Sequence, residues 1–219
     1  MSRLQRRAAA PIAVQPFGPV ARDQLRLLDR ILRDELHASS VILPPRPLPE
    51  AARVVERNQL DADRLLDELF AILPERCLRI LGVTEADLFV PGRTFVFGYA
   101  HLTDGVAIYS LNRLCERFYG RAEDPSRLAS RVRRAVVHEL GHTFGVPHCE
   151  GPTCVLRAVT QVDTLDALVP TYCATCAERV QRGLEVAPWS PRGRRERALS
   201  WLRRGEPARA RAAMGRGDF

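Results

Sequence analysis

The run His138-Glu139-Leu140-Gly141-His142, followed by Gly145 and then His148, constrains this chain more than any other feature. Imidazoles at i and i+4 of a helix stack on one face with Cβ atoms about 6 Å apart, the separation two ligands to one zinc ion need. Glu139 lies one step of about 100° around the same helix. It is placed to take a proton from a zinc-bound water without itself becoming a ligand, the part of a general base. A helix continued past Gly145 would carry His148 away from the metal. Glycine adopts the left-handed conformation that ends helices, and Pro147 pushes Val146 out of helical geometry. The chain can therefore turn back and present His148 as third ligand, with one position left open for water and substrate. Three of the five histidines lie in this stretch, which sets it apart from a chance pentapeptide.

The surroundings of the motif support a helix. Asp124-Pro125 supplies an N-cap and a proline at the first helical position, and Leu128, Val132, Val136 and Leu140 carry a helical spacing through to the histidines. Further upstream, Ile12 to Phe17 reads as a strand, and Asp23 to Leu36 as a helix with its apolar face at Leu25, Leu28, Ile31, Leu32 and Leu36. Val41 to Leu43 is a second apolar run, and Pro44 to Pro49 excludes regular structure. Asp61 to Leu73 is again helical, closed by Pro74. Cys77 to Val83, Phe95 to Phe97 and Val106 to Ser110 read as strands, and Cys173 to Leu184 as a last helix. Strands alternating with helices predict an α/β sandwich on a mixed sheet.

Four cysteines follow the motif: Cys149, directly after the third histidine, Cys154, and the pair Cys173 and Cys176. Four thiolates at such spacings suit a closed tetrahedral structural zinc. Two disulfides are the alternative, disfavoured if the chain stays in a reducing compartment. Cys77 and Cys115 have no such partners and read as buried small hydrophobes.

Charge bears on that compartment and on partners. The net charge is +7, and all 33 basic residues are Arg. Nine Arg against three acids put +6 into residues 190–219, and Arg3, Arg6 and Arg7 add +3, which leaves −2 for residues 8–189. The basicity thus belongs to the ends, and the body is no basic nucleic-acid-binding domain. The Arg-rich stretch, with Arg192, Arg194, Arg195, Arg197, Arg203 and Arg204, is more often a solvated extension than a nucleic-acid site. No leader is read at the N-terminus and no window approaches a membrane span, so the expectation is a cytoplasmic protein without a membrane partner.

His138 to His148 with Cys149, then Cys154, then Cys173-Ala174-Thr175-Cys176, resembles the extended zinc motif and cysteine set of the archaemetzincins (archaelysins), within the metzincin metallopeptidases. The likeness extends to Arg57-Asn58-Gln59-Leu60, Phe95-Val96-Phe97-Gly98 and Ser110-Leu111-Asn112-Arg113-Leu114, and covers roughly residues 12 to 184. It implies a metzincin-like zincin fold, α/β (α+β), with a twisted mixed sheet, backing and active-site helices, and a smaller C-terminal subdomain holding a structural zinc. The division implied is a basic segment at 1–11, an upper subdomain at 12–145, a lower one at 146–188 and an Arg-rich extension at 189–219.

The same likeness implies zinc-dependent hydrolysis of peptide bonds, as aminopeptidase or endopeptidase, by a monomer carrying two zinc ions. One would be catalytic, on His138, His142 and His148 with Glu139 as base, and one structural, on Cys149, Cys154, Cys173 and Cys176. A peptide or protein substrate would lie along an edge strand within Gly98 to Ser110. Two positions depart from the pattern: Leu156 stands where a methionine is expected beneath the metal, and Ala158 where some metzincins place a tyrosine. Tyr172 or Tyr99 is left as an oxyanion donor. These departures motivate the other reading, a zinc-stabilised binding module with little turnover.

Overall fold

A computed structural model describes residues 10–102 and 104–184. The Arg-rich extension, and all of the basic N-terminal segment except residues 10 and 11, lie outside them. The elements in order are β1 (Ile12–Phe17), α1 (Arg22–Leu36), β2 (Ser40–Ile42), β3 (Arg53–Val54), β4 (Gln59–Asp61), α2 (Ala62–Ile72) and β5 (Arg79–Thr84). β6 (Leu88–Phe89), β7 (Gly98–Ala100), β8 (Val106–Ser110), α3 (Pro125–Thr143), α4 (Val162–Ala167) and α5 (Ala174–Leu184) follow.

Five strands form the main sheet in the order β2-β1-β5-β8-β7. The first four run parallel and β7 returns antiparallel against β8, so β7 is an edge strand. Parallel strands need crossovers that cover both faces, and the buried residues alternate accordingly. Ile12, Val14, Leu81, Val83, Ala107 and Tyr109 pack with α1 and α3 on one face. Ala13, Ile80, Val106 and Ile108 pack with α2 on the other. The helix faces are those expected: Leu28, Ile31, Leu32 and Leu36 of α1 and Leu65, Leu66 and Leu69 of α2 are buried. Beyond α3, Val146, Val155, Leu156, Leu165 and Val180 join the α1/α3 core. The C-terminal part is thus packed directly beneath the helix that carries the histidines.

Two sequence expectations need correction. Phe95 to Phe97 is not a strand; only Val96 makes an isolated bridge, to Leu88, and the edge strand begins at Gly98. The aromatic rings that suggested a strand are spent on packing instead: Phe95 and Phe97 meet edge to face at 5.2 Å, and the Arg113 guanidinium sits 4.1 Å over Phe95. A three-stranded sheet, β3-β4-β6, and the short α4 were not foreseen. Strands of two or three residues are too short to show an alternation.

α3 is anchored by a buried cation. Arg131, fully buried, forks onto Asp166 of α4 with Nε and Nη2 donating at 2.8 and 2.7 Å, while Nη1 donates to the Leu114 carbonyl at 2.9 Å. Glu116 lies 2.8 Å from Nη2. Removing one member of a buried charge network leaves the others desolvated and unpaired. Arg131→Met is therefore expected to destabilise the fold by about 3–5 kcal/mol in urea denaturation. A loss below about 1 kcal/mol, the range of an exposed pair, would show that the network does not tie α3 to α4.

Candidate metal centre

α3 begins as the sequence predicts, with Asp124 Oδ1 accepting the Arg127 amide at 2.9 Å and proline following the cap. It ends at Thr143, and Gly145 turns the chain with a φ of +80°. That turn brings His148 back to the helix: its ring centre lies 4.8 Å from that of His142 and 5.4 Å from that of His138. One ligand atom from each of the three histidines lies within 4.8 Å of the others.

Hydrogen bonds on the far side of two rings fix what the near side offers. His138 Nδ1 lies 2.7 Å from the Val155 carbonyl, and His142 Nδ1 lies 2.7 Å from the Val146 carbonyl. A carbonyl only accepts, so both Nδ1 atoms carry the proton and both Nε2 atoms carry a bare lone pair. Those two Nε2 atoms are 3.0 Å apart. Facing lone pairs at that distance repel unless a cation lies between them, and two nitrogens on one tetrahedral zinc are separated by about 3.3 Å. The donor set thus fits zinc. Burial lowers the His138 pKa to about 3 and that of His142 to about 4, which keeps both imidazoles neutral, as ligation requires. His148, at the exposed rim, is lowered by partial burial and then by the Arg93 guanidinium.

Glu139 is only 6% exposed. Among the described residues its carboxylate has no hydrogen-bond partner, and burial raises its pKa to about 8. It lies against the backbone of β7: a Cβ at Gly98 would sit 2.5 Å from Glu139 Oε1 and 2.7 Å from its carboxyl carbon. Only glycine allows the edge strand to run this close to the acid.

The histidines and Glu139 line a cleft of about 550 Å³. β7 and the segment before it line the cleft, together with residues 158–160, Pro147 and His148. Of the two tyrosines singled out in the sequence, Tyr99 borders the cleft on β7, but its ring packs with the α2-side core and lies 6.1 Å from the His101 ring. Tyr172 does not border it: its hydroxyl donates to the Val137 carbonyl at 2.6 Å from beneath α3. Leu156 is fully buried in the place anticipated for it. A Cβ at Gly141 would come within 2.9 Å of Leu156 and 2.8 Å of Tyr172, so these two side chains form the floor under the turn bearing both histidines.

The four cysteines also converge, each offering a sulfur within 4.8 Å of the rest. Cys149 and Cys173 sulfurs are 3.8 Å apart, and all four thiols are free of disulfides. Zinc–sulfur bonds of about 2.3 Å in a tetrahedron separate the sulfurs by about 3.8 Å. Backbone amides already point at these sulfurs: Gly151 N–H donates to Cys149 at 3.3 Å and Cys173 N–H to Cys154 at 3.4 Å. Hydrogen bonds from Cys176 lead in lowering the Cys173 pKa to about 7. Cys77 and Cys115 are buried elsewhere, as expected. Sequence reasoning missed the carbonyls of Val146 and Val155, because every residue has one, and the contact of Gly98 with Glu139, because nothing local marks it.

Comparison with known proteins agrees with this geometry. The profile of Peptidase family M54 matches residues 33–182. The archaemetzincin of Pyrococcus furiosus is 34% identical over 179 residues, 79% of this chain and 93% of that protein. That of Methanocaldococcus jannaschii is 32% identical over 177 residues, covering 80% and 96%. The crystal structure of archaemetzincin from Methanopyrus kandleri superposes with a TM-score of 0.72 at 32% identity, over 84% of this chain and 99% of that one. The archaemetzincin of Archaeoglobus fulgidus, crystallised in complex with malonate, gives 0.67 at 29%, over 77% and 99%. Similarity of this extent, over the strands and helices that build the cleft, shows that the chain belongs to the archaemetzincins of peptidase family M54, zinc-dependent metallopeptidases that act on peptide or protein substrates.

Proposed function

We propose that His138, His142 and His148 hold the catalytic zinc, that Glu139 is the general base, and that Cys149, Cys154, Cys173 and Cys176 hold a second, structural zinc. The observation that carries this reading is the pair of bare Nε2 lone pairs aimed at one point beside a buried, unpartnered carboxylate. Zinc supplies Lewis acidity, acidifying a water and polarising the scissile carbonyl. The protein's own residues do the rest. Glu139 takes the proton of the attacking water on its carboxylate and returns it to the leaving amine. Burial alone raises the Glu139 pKa, and the charge of a zinc ion held by the three histidines would draw it back toward the ionised form that a general base needs. The open edge of β7 offers its backbone to an extended peptide, which would add as a further strand along the cleft.

The same reading divides the chain at the Gly145 turn into an upper unit, 12–145, and a lower unit, 146–188, of which 185–188 lie outside the described residues. Six thiols with no disulfide support a reducing, cytoplasmic setting, and a cleft completed within one chain supports a working monomer. Among the described residues no helix is long and apolar enough to cross a membrane. The binding-module reading is not favoured: the family is one of zinc metallopeptidases, and Leu156, one of the two departures that motivated it, is fully buried against Gly141 under α3.

Two substitutions test the mechanism. Glu139→Gln keeps shape and removes the base, so peptide hydrolysis should fall by about 100-fold or more with zinc content unchanged. Full activity in that variant would overturn the assignment. Gly98→Ala forces the new methyl onto the carboxylate, and displacing a reacting group by about 1 Å can cost about 100-fold. The expected result is a fall in kcat with zinc retained. An unchanged kcat would show that the close approach of β7 does not position Glu139.

A further inference from the structure

Among the described residues, two charged ones line the cleft besides the three histidines: Glu139 and Arg93. Arg93 belongs to the turn after β6, where its amide donates to the Val90 carbonyl at 3.0 Å and Gly92 takes a φ of +85°. The backbone on its other side is pinned as well. Arg57 Nη2 donates to the carbonyls of Arg93 and Thr94 at 3.3 and 2.8 Å, and Gln59 Nε2 donates to Thr94 at 3.0 Å. The neighbouring arginines are occupied. Arg57 is held by these carbonyls and lies 4.2 Å over Phe89, and Arg113 forks onto Asp87 at 2.7 Å through both Nε and Nη2. Arg93 differs: among the described residues its guanidinium has neither an ion pair nor a hydrogen bond. Glu150, whose charge also reaches His148, does not line the cleft.

A guanidinium held on a fixed backbone, in a cleft whose one carboxylate is the base, is a receptor for a carboxylate brought by the substrate. We propose that Arg93 selects substrate by pairing with a peptide carboxylate, from an Asp or Glu side chain or from the C-terminus. This rests on the reading of the cleft as the peptide-binding groove. A neutral peptide leaves Arg93 to water; an acidic one replaces that water with a charge-assisted, two-pronged hydrogen bond.

The test measures binding of fluorescent hexapeptides by anisotropy to the zinc-loaded full chain carrying Glu139→Gln. One series walks a single Glu, against Gln, through every position. A second compares a C-terminal acid with its amide, which separates the two carboxylate sources. The expected result is on the order of fivefold tighter binding of the carboxylate form at one position or at the C-terminus. Arg93→Ala should bring that ratio to about one, and Arg93→Glu should reverse it. Absence of any carboxylate preference, or its survival in Arg93→Ala, would overturn the assignment. Cleavage by the unmodified protein without acidic preference would sink this inference and leave the peptidase reading standing. A preference lost in Arg93→Ala, with no cleavage by the unmodified protein, would do the reverse.

Discussion

The structure turns on two ring nitrogens held 3.0 Å apart with their lone pairs facing. Each ring is tied from behind by a backbone carbonyl, which fixes the orientation that a shared cation would require. Those carbonyls belong to segments far apart in kind. Val146 lies one residue past the Gly145 turn, and Val155 lies between two of the cysteines. The loop that completes the histidine set therefore also carries two of the four cysteines, Cys149 and Cys154, with His148 and Cys149 adjacent, while Cys173 and Cys176 come from the start of α5. A cation at the sulfurs would stiffen the carbonyl that orients His138, and outer hydrogen bonds of this kind tune both ring orientation and ligand basicity. The two candidate sites are coupled through one backbone segment.

Holding α3 rigid is the second requirement, and the molecule meets it with polar as well as apolar packing. Val132, Val136 and Leu140 bury against the sheet and α1, while Arg131 reaches sideways to Asp166 and Glu116. Leu156 and Tyr172 close the underside at Gly141. Against this framework Glu139 stands out, since it is buried with no hydrogen-bond partner among the described residues. Leaving a carboxylate so placed costs stability, and such costs concentrate where a group must change protonation state.

Much of this was legible in the sequence, and the divisions are physical. Motifs whose chemistry is local could be read residue by residue: the i, i+4 histidines, the glycine that ends α3, the Asp124-Pro125 start and the amphipathic faces of α1 and α2 all stand where their spacing put them. The sulfur cluster was legible because few other uses demand four cysteines at such intervals. What depends on the tertiary approach of distant backbone was not. Gly98 gave no sign that it shields Glu139, since the two are 41 positions apart and glycine in a strand has several uses. Tyr172 and Tyr99 could not be separated until the hydroxyl of one was found bonded beneath the helix. The aromatic pair Phe95 and Phe97 read as a strand because propensity reflects side-chain packing, and here that packing is onto Arg113 and onto each other.

The central claim is that one chain builds two different zinc environments joined by the loop that carries His148, Cys149 and Cys154. Anomalous diffraction across the zinc edge, on crystals of the full-length protein, measures this directly. The account predicts two zinc peaks per chain, one bounded by His138, His142 and His148 and the other by Cys149, Cys154, Cys173 and Cys176. A single peak, or disulfides joining the four cysteines, would contradict it.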